Sequence, residues 1–187
     1  MKQFYFSIML LLLGSGIHAQ KKEGLKFSSI NQFGILKGNS DQTFQVQSVN
    51  GIQYKSWFIG PGIGIDNYAL KTVPVFIDFR KSVGNKKQNP CIYADLGVSL
   101  PWNKEDKAAW QTSQYKTGLY YDVGIGYTVP VKKHLAFNFS AGYSQKQLHE
   151  TRSNSGIIWD FPPYGQSGKE YFDYTFRRIS VKMGLQF

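Results

Sequence analysis

The sequence predicts an all-β protein, an eight-stranded antiparallel up-and-down β-barrel that crosses a membrane. Three observations predict it. Apolar and non-apolar residues alternate with a period of two past residue 20, and helical periodicity is almost absent. The non-apolar phase is filled by glycine and serine instead of the long charged side chains of a solvated face. The composition agrees: only 18% of the 187 residues are charged and 16% are aromatic, whereas disordered and coiled-coil chains are charge-rich and aromatic-poor. A mean hydropathy of −0.33 argues against a helical membrane protein. A single cysteine, Cys91, excludes an intrachain disulfide and a cysteine-cluster metal site.

Residues 1–19 read as a secretory signal. Met1-Lys2-Gln3 is a short positive start, and Phe4 to Leu13 is an apolar run ending in four leucines. Gly14, Ser15 and Gly16 follow, then Ile17-His18-Ala19, and cleavage is expected after Ala19 although Ile17 is larger than the ideal residue there. The run is shorter than the roughly 20 residues a spanning helix needs. No cysteine follows it to carry a lipid anchor. Residues 20–187 are then an exported barrel domain destined for the outer membrane.

The strands follow in order. Two weaker ones come first. In 26–36, Phe27, Phe33 and Ile35 are in phase; in 42–54, Phe44, Val46, Ile52 and Tyr54 are. Asn50-Gly51 is a candidate hairpin turn, but a strand running through it to a turn at Lys55-Ser56 is preferred. In 57–66, Trp57, Ile59, Ile63 and Ile65 oppose Gly60, Gly62, Gly64 and Asp66. In 72–80, Val73, Val75, Ile77 and Phe79 oppose Thr72, Pro74, Phe76, Asp78 and Arg80. In 92–100 the apolar phase runs Ile92, Ala94, Leu96, Val98, Leu100, and in 118–129 it runs from Leu119 to Val129. The seventh strand, 135–144, carries Leu135, Phe137, Phe139, Ala141 and Tyr143; the eighth, 178–187, carries Ile179, Val181, Met183, Leu185 and Phe187.

The opposite phase decides which side is inside. In a soluble barrel the apolar face fills the interior. Here the small residues suit a narrow bore, and an apolar belt of this extent in water would exceed any patch a monomer tolerates. In lipid the belt is required, and closing the sheet satisfies every backbone group. Tyr54, Trp57, Trp102, Tyr127 and Tyr143 near strand ends match interfacial girdles. With the N-terminus in the periplasm, 37–41, 66–71, 101–117 and 149–171 are outer loops. Short turns near 55–56 and 130–134 face inward, and the connection 83–90 is longer than that rule expects.

Asp78, Arg80, Asp95, Asp122, Arg178 and Lys182 all fall in the bore phase, beside Tyr93 and Tyr120. On the lipid face each Arg or Lys would cost roughly 2–4 kcal/mol at the midplane. Inside, they can pair. The expectation is an ion-pair network that fills the bore, with a narrow ion path as the alternative. Gly60-Pro-Gly-Ile-Gly64 resembles a nucleotide fingerprint but lacks the helix that would hold a phosphate. His134 and His149 have no convergent metal ligands, so no metal or cofactor is expected. His149 with Glu150 and Ser144 is the one combination a lipid-edge hydrolase could use, and no Gly-x-Ser-x-Gly elbow supports it.

The net charge is +10 and the pI 9.6, with Lys86, Lys87, Lys132 and Lys133 in inward turns. An exported barrel has no nucleic-acid partner; attraction to acidic headgroups or periplasmic polymers is the unspecific expectation. Trp102, Trp110, Trp159, Tyr164 and Pro162-Pro163 on outer loops would fold over the mouth, touch lipopolysaccharide or bind a surface ligand.

The segment Trp57-Phe-Ile-Gly-Pro-Gly-Ile-Gly-Ile-Asp-Asn-Tyr68, with Val73-Pro-Val-Phe-Ile-Asp-Phe-Arg80 and Ile92-Tyr-Ala-Asp-Leu-Gly97, resembles the small outer-membrane β-barrel proteins of the Bacteroidetes. These are similar in architecture to OmpX and the OmpA transmembrane domain. The last strand, ending in Phe187, resembles the C-terminal signal read by the barrel-assembly machinery. The resemblance implies outer-membrane lipid and that machinery as partners, and specifies architecture far better than activity. The expected function is a structural or surface-interaction role without catalysis, presented by 101–117 and 149–171. The alternatives are a small channel or transport-associated barrel using the bore charges, and a lipid A-modifying enzyme.

Overall fold

The computed structural model of the chain describes residues 24–39, 41–67, 70–84, 89–108, 111–132, 134–154 and 169–187. The expected signal at 1–19 lies outside them, as do Lys86, Lys87, Lys133, Trp110, Trp159, Pro162, Pro163 and Tyr164. Ten strands form one antiparallel sheet: β1 (Leu25–Lys37), β2 (Gln42–Tyr54), β3 (Trp57–Asn67), β4 (Lys71–Ser82), β5 (Asn89–Pro101), β6 (Glu105–Ala108), β7 (Gln111–Lys116), β8 (Gly118–Lys132), β9 (Leu135–Asn154) and β10 (Lys169–Gln186). Eight of them close the barrel in the order β1-β2-β3-β4-β5-β8-β9-β10. Closure pairs β1 with β10, from Lys37 opposite Ile179 to Ile30 opposite Gln186. The amides of Ser29 and Phe187 exchange backbone hydrogen bonds at 3.0 and 2.9 Å, so the last residue seals the seam.

The period-two alternation becomes the wall. Ile59, Ile63, Ile65, Val75, Ile77, Phe79, Leu119, Val123, Ile125, Val181 and Met183 are exposed on the outside. Gly60, Gly62 and Gly64 are buried in the bore. Such an apolar outer belt is the surface a bilayer demands, and the fold is a transmembrane β-barrel. Tyr54, Trp57, Trp102, Tyr127 and Tyr143 all point outward. Lysines lie over three of these rings: Lys55 Nζ is 5.2 Å from the Tyr54 centroid, Lys81 Nζ 4.8 Å from that of Trp57 and Lys71 Nζ 4.0 Å from that of Trp102.

One end of the barrel has short turns. β2 passes straight through Asn50-Gly51, and the chain reverses at Lys55, whose φ is 53°. Pairing of β8 with β9 continues to Lys132 opposite Leu135, with a register shift at Pro130 because proline cannot donate to the ladder. The β4–β5 connection is drawn together by the Val83 amide donating to the Pro90 carbonyl at 2.8 Å.

The other end differs from the loop expectation. Within the expected loops 101–117 and 149–171, residues 105–108, 111–116, 149–154 and 169–171 are strand. β9 runs 20 residues and β10 runs 18, well beyond the 11 residues of β3. β7 continues the line of β8 past a break at Thr117 and pairs with the outer part of β9, from Lys116 opposite His149 to Gln111 opposite Asn154. The hairpin partner β6 adds a further edge. The physical reason is an inversion of polarity. In the barrel wall the outward residues of β10 are Ile179, Val181, Met183 and Leu185. Beyond Arg178 the apolar side chains Phe172, Tyr174 and Phe176 take the inward phase instead, and the outward positions include Asp173, Thr175 and Arg177. The sheet leaves lipid there and alternates like a sheet in water.

Candidate bore site and its extramembrane sheet

Alternation aims the even-numbered residues of β1, β3, β4, β8, β9 and β10 and the odd-numbered residues of β2 and β5 into the bore. The register then decides who meets. Asp78 on β4 lies opposite Asp95 on β5, and Asp95 lies opposite Asp122 on β8. Three carboxylates thus stand in one row across adjacent strands, all fully buried. Two cations answer them. Arg80, two residues along β4 on the same face, places Nε 2.9 Å from both oxygens of Asp78. Its Nη2 donates to Asp78 Oδ2 at 2.7 Å and its Nη1 to Asn138 Oδ1 at 3.0 Å. Lys182, brought by β10 across the bore, donates to Asp95 Oδ2 at 3.2 Å and Asp122 Oδ2 at 3.1 Å. Tyr93 stands between the cations, with Lys182 Nζ 4.3 Å and Arg80 Cζ 5.5 Å from its centroid. Its hydroxyl donates to Asp122 Oδ1 at 2.8 Å, which also accepts from Ser180 at 3.0 Å.

The wall makes room for this by omitting side chains. A Cβ on Gly142 would lie 2.3 Å from the Tyr93 hydroxyl. One on Gly62 would lie 2.4 Å from the ring of Phe76. That ring belongs to an apolar group in the bore, Ile30, Val49, Phe58, Phe76 and Tyr120. The Tyr120 hydroxyl accepts from Gln47 at 2.9 Å, and Gln47 accepts from Gln32 at 2.7 Å. The bore is therefore a packed core with a greasy sector and an ionic sector, not an open lumen.

Asp78, Arg80, Asp95, Asp122 and Lys182 thus share one cluster, while Arg178 stands apart. It bonds Asp41 at 2.7 Å near the β1–β2 connection. A second buried pair was not singled out by the sequence reading: Lys146 on β9 donates to Asp66 on β3 and, at 2.6 Å, to Thr72 on β4. Alternation places Asp66 in the bore phase of its strand, and Lys146 lies two residues past the 135–144 segment that outward apolar residues define.

The hydrolase combination does not assemble. Ser144 and Glu150 lie on the bore face of β9, but His149 is on the opposite face, against Asp173 at 2.5 Å. Glu150 belongs to the extramembrane sheet, where it accepts from Tyr174 at 3.0 Å and from Arg152 at 3.1 Å. Burial pushes its carboxyl up, and hydrogen bonds from Ser113, Tyr174 and Arg152 outweigh that and hold it below the usual carboxylate range. No group of three or more His, Cys, Asp or Glu among the described residues is arranged to hold a metal ion.

Comparison with known proteins bears on the fold. No family model and no curated protein sequence matches the chain. Among solved structures, the crystal structure of the outer membrane protein OprG from Pseudomonas aeruginosa is similar, with a TM-score of 0.58 over 87% of this chain and 95% of that one. At 10% identity the likeness is one of fold: a closed eight-stranded barrel resembling an outer-membrane protein.

Proposed function

We propose that this chain is a non-enzymatic integral protein of the Gram-negative outer membrane, of the small Bacteroidetes type built like OmpX and the OmpA transmembrane domain. It is exported by the signal at 1–19 and inserted by the barrel-assembly machinery through the strand ending in Phe187. Its role is structural or surface-interactive, with outer-membrane lipid around the belt and a surface ligand at the far end.

The observation that carries this reading is the contrast between the two parts of the molecule. The bore is filled by buried apolar rings and paired charges, while β6, β7 and the outer ends of β9 and β10 build a sheet beyond the membrane. Conduction would require breaking several buried ion pairs, each worth several kcal/mol to disrupt. Purified protein in planar bilayers is therefore expected to be electrically silent; steady single-channel steps that Asp78→Asn alters would replace this reading with the channel. The surface role is tested by exchanging 104–116 for a short Gly-Ser turn. Adhesion of cells carrying the variant should fall to that of a deletion strain while heat-modifiable gel migration persists. Unchanged adhesion refutes it.

A further inference from the structure

The short-turn end of the barrel holds a cavity of about 450 Å³, separate from the extramembrane sheet. Its lip carries Lys26, Lys55, Lys132 and His134, all exposed. Each comes from a different place in the chain: the start of β1, the β2–β3 turn, the end of β8 and the β8–β9 turn. Deeper in, Arg80, Asn138, Thr128, Gln186 and Ser28 present hydrogen-bonding groups. Ile30 and Phe58 are also on the lining and belong to the apolar group of the bore, so the cavity is a dead end.

Among the described residues, no aspartate or glutamate lines this vestibule. Beyond it, Asp78 is taken up on both oxygens by Arg80. At its edge the backbone oxygen of Phe187 accepts from the Ser29 amide at 3.0 Å. The sequence repeats the asymmetry. Of the acids among the described residues, Asp66, Asp78, Asp95 and Asp122 stand in the bore, and Asp41, Glu105, Asp106, Glu150, Glu170 and Asp173 fall at or beyond the opposite end. Three lysines converging on one concavity raise the local concentration of anions, and low-dielectric walls focus that field.

We infer that this vestibule is a binding site for a multiply charged oxyanion, phosphate- or carboxylate-bearing, arriving from the aqueous side that outer-membrane barrels turn toward the periplasm. The lysines of the lip supply charge, and the amides and hydroxyls beneath supply short-range bonds. The ligand is a soluble anion and not a lipid headgroup, because the hydrogen-bonding groups Arg80, Asn138 and Ser28 of the lining are buried inside the barrel.

The test uses the whole protein in nanodiscs of zwitterionic lipid, titrated with inorganic pyrophosphate. Binding is read by calorimetry and by the side-chain amide resonances of Asn138 and Gln186. Saturable binding that weakens with added salt is expected. Lys26→Gln and Lys132→Gln should each weaken it roughly fivefold, the equivalent of about 1 kcal/mol for one screened contact. Lys107→Gln at the opposite end should leave it unchanged, and heat-modifiable migration verifies that the variants are folded. Absence of saturable binding, equal loss in the Lys107→Gln control, or binding seen only when the discs contain phosphatidylglycerol would each overturn the inference.

Discussion

Removing the ammonium of Lys182 is the sharpest perturbation the bore offers. Lys182→Met keeps the length and packing of the stem but leaves Asp95 and Asp122 without their shared cation. At 3.2 and 3.1 Å and an effective dielectric constant near 20, each contact carries about 5 kcal/mol of gross attraction. Desolvation offsets much of that in the intact pair, but not the loss on breaking it. Removing one member of a buried pair costs about 3–5 kcal/mol. Asp78 stands in the same row, so the variant should fall at the upper end. The opposite change should be nearly free. The row sets three carboxylates against Arg80 and Lys182, and Asp95 Oδ1 has no hydrogen-bond partner among the described residues. Asp95→Asn balances the cluster while keeping its shape, and is expected within about 1 kcal/mol of the parent. Urea unfolding in lipid vesicles, followed by tryptophan emission and by gel migration, measures both, with the double variant recovering part of the Lys182→Met loss. If Lys182→Met unfolds with the parent, or if Asp95→Asn is the more damaging change, the assignment of the charges is wrong.

Three further outcomes follow from the same geometry. Gly142→Ala sets a methyl 2.3 Å from the Tyr93 hydroxyl and should cost about 1–3 kcal/mol; adding Tyr93→Phe should return part of it in the same urea assay. Glu150, held below its ordinary range in the folded sheet, contributes stability present above its unfolded pKa and lost as pH falls through the folded one. The protection of 111–116 against hydrogen exchange, relative to the intrinsic rate at each pH, should therefore fall in acid while that of the barrel wall persists, and Glu150→Gln should abolish the difference. Deleting Phe187 removes the partner of Ser29 at the seam; less heat-modifiable protein should reach the membrane, and normal yield would count against a role in assembly.

Legibility in the sequence followed the solvent. Where lipid lies outside and glycine inside, each strand announces its own inward face, and Gly60, Gly62 and Gly64 sit in the bore as the alternation required. The turn at Lys55 was readable because Ile52 and Tyr54 keep the phase beyond Asn50. The outer halves of β9 and β10 were not read as strands, because a search for outward apolar residues ends at Tyr143 and begins again only at Ile179. The signal was present in reversed form: Leu148, Phe172, Tyr174 and Phe176 keep period two with the opposite phase. Among the charges, alternation identifies which face Asp95 and Lys182 share but not who meets whom. That depends on register between strands far apart in sequence, so the separation of Arg178 from the cluster and the Lys146–Asp66 pair came only from the structure.

The order of the strands has a consequence for how the molecule is made. Asp78, Asp95 and Asp122 are contributed by β4, β5 and β8, but Lys182 arrives on β10, the last strand in the chain. A nascent sheet lacking that strand holds three acids and one guanidinium in a half-built interior, with an open edge on β1 besides. Zipping the final hydrogen-bond ladder brings in the second cation in the same event and leaves one carboxylate in excess instead of two. Incomplete intermediates are thereby denied a comfortable resting place, and the chain is committed to finishing the cylinder it begins.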